Sequence, residues 1–194
     1  MKKLLFATNN AHKLEEVKQL LSGYYEVISL SDVGFEGEIP ETSPTIEGNA
    51  LQKARFIKQS LGLDCFADDT GLEVAALHGA PGVYSARYAG EGCSYDDNVT
   101  KMLLEMQGIA HREARFRTVI ALIIGNEEKL FEGIVEGMII QERKGASGFG
   151  YDPIFMPEGY NQTFAEMATS LKNEISHRGR AVKLLAQWLM AMKA

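Results

Sequence analysis

Lys3-Leu4-Leu5-Phe6-Ala7 is a short apolar run of the length of a buried strand. Thr8-Asn9-Asn10 follows it, three residues whose side chains favour helix caps. Leu14, Val17 and Leu21 then recur at helical spacing, and Gly23 stands where a terminating glycine is expected. Strand, polar turn and helix open a βαβ unit, and Tyr25 to Leu30 reads as its second strand. Residues 31–48 are rich in Gly, Pro, Ser, Thr and carboxylates and predict a long loop. Ala50, Leu51, Ala54, Ile57 and Leu61 mark a second amphipathic helix closed by Gly62.

Downstream, Cys65-Phe66-Ala67 reads as a brief strand ending in a turn, Asp68-Asp69-Thr70-Gly71, with strand resuming over Leu72 to Leu77. A glycine-rich loop spans 79–92. Val99, Met102, Leu103 and Met106 share one face of a helix near 95–107. Arg115 to Ile124 and Lys129 to Ile140 pair around Gly125-Asn126-Glu127-Glu128, residues 144–163 are loop-rich, and a last helix starts near Arg180 with Val182, Leu185, Leu189 and Met192 inward. Strands alternating with helices predict an α/β fold with a mixed sheet flanked by helices. With no repeat or linker, residues 1–194 read as one domain, with two lobes around a cleft.

Composition narrows the partners. The 194 residues carry 20 Lys+Arg against 26 Asp+Glu, a formal charge of -6. A long nucleic-acid partner needs a basic face, so that class is disfavoured, while a small phosphorylated ligand needs only a few local cations. Cys65 and Cys93 make no CxxC motif and suit a reducing cytoplasm, with one disulfide still open. The apolar run after the charged start ends at Ala7, too early for a signal peptide, and no run approaches the ~20 residues of a membrane span. Walker A, GxGxxG, HExxH and GxSxG patterns are all missing.

Four segments carry candidate chemistry. Thr8 to Lys13 joins a strand end to a helix start, where backbone N–H groups favour anions; Lys13 on that first turn opposes the helix dipole, which a bound phosphate would explain and a plain N-cap would not. Glu36, Glu38, Glu41 and Glu47, with Asp68-Asp69, supply hard oxygen ligands of the kind Mg²⁺ takes; most of the glutamates read equally well as a solvated loop, and Asp68 to Gly71 as an ordinary turn. If strand continued through Asp68-Asp69, the two would face opposite sides. Gly145 to Phe155 places glycines beside Phe149 and Tyr151, so that a planar ring could lie against backbone, with Asp152 accepting from its edge. Ser176-His177-Arg178-Gly179-Arg180, with Lys172 upstream, offers donors.

Five ordered segments extend this set: Thr8 to Lys13, Ala67 to Gly71, Pro81 to Arg87, Phe149 to Phe155 and Ile175 to Gly179. Together they resemble the inosine triphosphate pyrophosphatase family, the dITP/XTP diphosphatases that cleanse nucleotide pools of deaminated purines. The resemblance implies an elongated two-lobed fold with a central cleft, a homodimer, and Mg²⁺-dependent hydrolysis of purine triphosphates to monophosphate and pyrophosphate. It implies that Thr8, Asn9, Asn10, Lys13 and Lys53 grip the triphosphate, that Glu41 and Asp69 hold Mg²⁺, and that Asp69 accepts the proton of the attacking water. Thr70 would contact substrate. Phe149, Gly150, Tyr151 and Asp152 would meet the purine, and Lys172, His177 and Arg178 would complete its pocket. Ser170-Leu171, where the family usually has acidic residues, puts the role of Lys172 in question. Two alternatives stay open: a related pyrophosphatase for other modified nucleotides, and a non-catalytic nucleotide-binding protein.

Overall fold

The structure, a computed structural model, describes residues 2–192. Seven strands, β1 (Lys2–Phe6), β2 (Tyr25–Ile28), β3 (Cys65–Val74), β4 (Pro81–Gly82), β5 (Glu113–Ile124), β6 (Glu127–Ile139) and β7 (Phe155–Pro157), form a sheet in the order β2-β1-β3-β5-β6-β7, with β4 on β3. Strands β1 and β2 run parallel, as do β1 and β3, whereas β4 is antiparallel to β3 and β7 to β6, the mixed sheet that the element pattern predicts. The helices are α1 (Ala11–Leu20), α2 (Ile46–Leu61), α3 (Tyr95–Glu105), α4 (Thr169–Ile175) and α5 (His177–Ala191).

The chain divides into two compact units. Among the described residues the first holds 2–69, 118–133 and 178–192; the second holds 70–117 and 134–177. Each has a core of its own. In the first, Phe6 stacks on Phe66 at 4.5 Å beside Val17, Leu21, Ile120, Leu185 and Leu189. In the second, Leu72, Met102, Met106, Phe116, Ile139, Phe155 and Phe164 are buried together.

Several expectations change. Helix α2 starts at Ile46, inside the expected 31–48 loop, because Thr45 caps it by accepting the Gly48 N–H at 3.0 Å. Asp68-Asp69-Thr70-Gly71 is no turn: β3 runs unbroken from Cys65 to Val74. Asp68 and Asp69 survive there because their charges are paired with Lys13, Arg178 and Lys53. Residues 144–163 include β7, and α4, which the periodicity does not predict, is the helix that carries Lys172. His177 and Arg178 open α5 rather than preceding it, and Met192 is 51 % exposed rather than inward, whereas Val182, Leu185 and Leu189 are buried. Both cysteines are free. Burial pushes the Cys65 thiol up to about 12, and its Sγ donates to the Ala54 carbonyl. Among the described residues no helix is long and apolar enough to cross a membrane.

Candidate active site

The first unit gathers the expected phosphate and metal residues. Asn10 is the N-cap of α1: its Oδ1 accepts the His12 and Lys13 N–H groups at 3.0 and 3.1 Å. Thr8 Oγ1 accepts the Asn10 N–H at 3.1 Å, and Asn9 is exposed between them. Two of the amides at the helix start are therefore committed to the cap. The misplaced cation also has a structural answer, since Lys13 Nζ lies 3.1 Å from Asp68 Oδ2 with its side chain 14 % exposed. An ion pair across to β3 outweighs an unfavourable dipole that acts only over one turn.

Asp68 serves two cations. Besides Lys13 it accepts from Arg178 Nε at 3.5 Å, and Arg178 Nη1 donates to Glu16. Burial alone would raise the Asp68 carboxyl, but Lys13, Arg178 and Lys53 outweigh it and hold it at about 2. Burial lowers the Lys13 ammonium, and the neighbouring Lys53 and Arg178 charges add to that, against the pull of Asp68.

Asp69, next along the strand, takes different partners, as alternation requires. It accepts from Asn49 Nδ2 at 3.2 Å and lies 3.8 Å from Lys53 Nζ. Lys53 Nζ also donates to Glu41. Burial raises the Asp69 carboxyl and Glu41 adds to the effect, against Lys53 and Lys13. Lys53 itself is raised: burial opposes its charge, but Asp69, Asp68 and Glu41 prevail. Helix α2 explains its position. Ile46, Asn49, Ala50, Lys53, Ala54 and Ile57 are the buried positions, one face at helical spacing, so a lysine and an asparagine are carried inward with the apolar stripe. Glu41 and Asp69 thus converge on one cationic centre, with oxygen donors only. Two carboxylates, with water and phosphate oxygens to complete the shell, are the donor chemistry that Mg²⁺ takes, so these residue types fit that ion.

In the second unit Asp152 organises the glycine–aromatic loop. Its Oδ2 accepts the Phe149 N–H at 2.9 Å and the Lys172 ammonium at 2.7 Å. A Cβ on Gly148 would stand 2.1 Å from that same oxygen, and one on Gly145 would stand 2.3 Å from the Ala165 backbone. These two glycines make room for the loop's own chain and carboxylate rather than for a ligand ring. Gly150 lies at φ 62° with open space around it. Of the two candidate rings Phe149 is half-exposed, while Tyr151 is buried with its hydroxyl donating to Ser85 O at 2.7 Å; burial raises that hydroxyl. Ser85, in the Pro81 to Arg87 segment, also accepts the Leu72 N–H at 2.9 Å.

Lys172 lies on α4, 5 % exposed, and its ammonium sits 5.0 Å from the Phe149 ring centre. Ser170 and Leu171 in place of acidic residues leave the helix formed and Lys172 aimed at Asp152. His177 lies flat against Phe116, ring centres 4.6 Å apart and planes within 13°. Thr70 is half-buried on β3.

The structure thus brings Thr8, Asn10, Lys13, Glu41, Lys53, Asp68, Asp69 and Arg178 together in the first unit, and Phe149, Asp152 and Lys172 together in the second. Sequence reasoning missed Glu16 and Asn49. Both left a trace: Glu16 falls one turn after Lys13 on the same helix face, and Asn49 is a polar residue on the α2 apolar stripe.

Residues 4–188 match the sequence model of the Ham1 family. A dITP/XTP pyrophosphatase of Porphyromonas gingivalis is 53 % identical over 194 residues, all of both chains. One of Flavobacterium psychrophilum is 52 % identical over 182 residues, 94 % of this chain and 96 % of that one. The Staphylococcus aureus Ham1 protein superposes with a TM-score of 0.89 at 38 % identity, over 98 % of this chain and all of the other.

Proposed function

The chain belongs to the Ham1 family, and on that premise we propose that it hydrolyses non-standard purine nucleoside triphosphates, dITP, ITP and XTP, to the monophosphate and pyrophosphate. One observation carries the reading: two buried cations, Lys53 and Arg178, and the half-buried Lys13 interleave with Asp68, Asp69 and Glu41 within a single unit. A charge cluster of this cost is kept where a multiply charged ligand is to be bound. The names of the relatives, dITP/XTP pyrophosphatase, support the same substrate class.

The roles follow the chemistry of each group. Lys13 and Lys53 bind phosphate oxygens, with Thr8, Asn9 and Asn10 at the start of α1. Mg²⁺, held by Glu41 and Asp69, would neutralise phosphate charge and lower the pKa of a bound water. Asp69 takes the proton of the attacking water; a carboxyl raised by burial holds a proton better than a free one and is a better base. Asn49 fixes the orientation of Asp69. The second unit serves the purine, Phe149 stacking on it and Asp152 meeting its edge, with Thr70, Gly150 and Tyr151 shaping the same region. Hypoxanthine and xanthine present a 6-oxo acceptor where adenine has an amine. His177 and Arg178 as donors would leave that amine unpaired, which disfavours ATP. Lys172 supports the pocket through Asp152 and Phe149. In this reading the whole chain works as one cytoplasmic enzyme, as a homodimer, and clears deaminated purines from the nucleotide pool.

The test is a nucleotide panel with Mg²⁺, scored for pyrophosphate against phosphate release. Pyrophosphate from ITP, dITP and XTP, little from ATP, and loss of turnover with EDTA are expected. Release of orthophosphate, or equal turnover of ATP, would overturn the reading.

A further inference from the structure

Tyr95 lies outside the five family-like segments, yet it stands beside the loop that carries Phe149. It is the first residue of α3 and is 42 % exposed. Its ring centre lies 5.9 Å from that of Phe149, with the planes inclined at 47°. Neither ring is closed into a core. Two neighbouring aromatic rings left open to water make an apolar patch, and such a patch calls for a ligand or partner more than a single exposed ring does.

The pair is held in place from three directions. Ser94 and Asp97 form a reciprocal capping box that fixes the α3 start: Asp97 Oδ2 accepts from Ser94 N at 2.8 Å, and Ser94 Oγ accepts from Asp97 N at 3.1 Å. Arg143, two residues before Gly145, clamps the same turn. Its Nε donates to Asp96 Oδ1 at 3.0 Å, and its Nη2 donates to Asp96 O at 3.3 Å and Thr100 Oγ1 at 2.6 Å. From the Phe149 side, Asp152 Oδ2 accepts the Phe149 N–H, and Lys172 lies 5.0 Å from the ring centre. One end of the guanidinium clamp thus holds the Tyr95 turn and the chain that follows it leads into the Phe149 loop. All these residues belong to the second unit.

We infer that Tyr95 is a second aromatic contact for the purine, widening the Phe149 platform into a two-ring surface for a planar heteroaromatic base. The inference rests on the reading of Phe149 as the stacking residue. Tyr95 adds to affinity for the base and not for the phosphates, because an uncharged ring offers a base a π-face and offers a phosphate no cation. Its hydroxyl is not required, since a π-face alone accepts a base.

The experiment measures binding of two probes, an α,β-methylene analogue of ITP and inorganic tripolyphosphate, to the full-length chain and to three variants. Tyr95→Ala should weaken the ITP analogue about five- to tenfold, toward the low end for loss of one base–aromatic contact. Tyr95→Phe should restore wild-type affinity, and tripolyphosphate should bind alike in every case. Phe149→Ala is the control. If it weakens the analogue while Tyr95→Ala does not, Tyr95 has no part and the platform stands on Phe149 alone. If neither variant changes analogue binding, the Phe149 reading falls and the inference with it. Equal losses for analogue and tripolyphosphate in Tyr95→Ala would also overturn it, because the effect would then not pass through the base. Tyr95 is exposed on a capped helix, so the variant retains its core.

Discussion

Replacing Lys172 by Met would remove a cation whose partner cannot move to water. Lys172 and Asp152 have side chains only 7 % and 5 % exposed, and their charged atoms lie 2.7 Å apart. At an effective dielectric near 20, Coulomb attraction at that distance is roughly 6 kcal/mol. Desolvation of the ammonium opposes it, and the methionine recovers apolar contact with Phe149 and Phe164, which the ammonium now faces at 5.0 and 5.9 Å. The net result for removing one partner of a buried pair is about 3–5 kcal/mol of lost stability. For a chain of this size that lowers the melting temperature by roughly 6–20 °C. Thermal unfolding followed by circular dichroism measures it, with Lys3→Met as reference. Lys3 pairs with Glu26 at 3.6 Å, both side chains more than half exposed, so its loss should stay within about 1 kcal/mol. The double variant Lys172→Met/Asp152→Asn should be less damaged than the two single losses summed, because no buried charge is left behind. A Lys172→Met protein within about 1 kcal/mol of wild type, or strict additivity in the cycle, would refute the reasoning.

Two other outcomes follow from the same geometry. Asp69→Asn should reduce turnover of ITP by about 10²–10⁴-fold while nucleotide binding largely survives, as seen by steady-state kinetics beside equilibrium titration; unchanged turnover would remove Asp69 from proton transfer. Gly148→Ala forces a Cβ to 2.1 Å from Asp152 Oδ2 at φ +76°, so it should cost about 1–3 kcal/mol in denaturant unfolding and lower kcat/KM for ITP; a variant normal in both would show that Asp152 can shift without consequence.

Elements written in local periodicity were legible. The β1–α1 opening, helix α2 and the pairing around Gly125 depend on spacings of two or 3.6 residues, which a short window contains. The motifs that resemble the inosine triphosphate pyrophosphatases drew attention to residues that the structure then clusters, Lys13, Lys53, Asp68, Asp69 and Arg178 among them. What such a window cannot contain is compensation from far along the chain. Asp68 to Gly71 reads as a turn because two carboxylates in a buried strand are prohibitively costly alone; the strand exists because Lys13, Lys53 and Arg178 reach them. Helix α4 has no side-chain cap and one turn of apolar spacing, so nothing local announces it.

The same division runs through the site. By itself the sequence determined the residue types, their order and an excess of acid over base: scattered cations, hard oxygen donors, a loop of glycines and aromatics, and donors before the C-terminus. The tertiary structure alone decided which charges meet. It turned Lys13 from an unexplained cation at a helix start into the partner of Asp68, and tied Arg178 to Glu16. It split adjacent Asp68 and Asp69 between two sets of partners, and showed that Gly148 is bare for the sake of Asp152. Electrostatic pairing depends on distance in space and on burial, and neither is a local property of the chain.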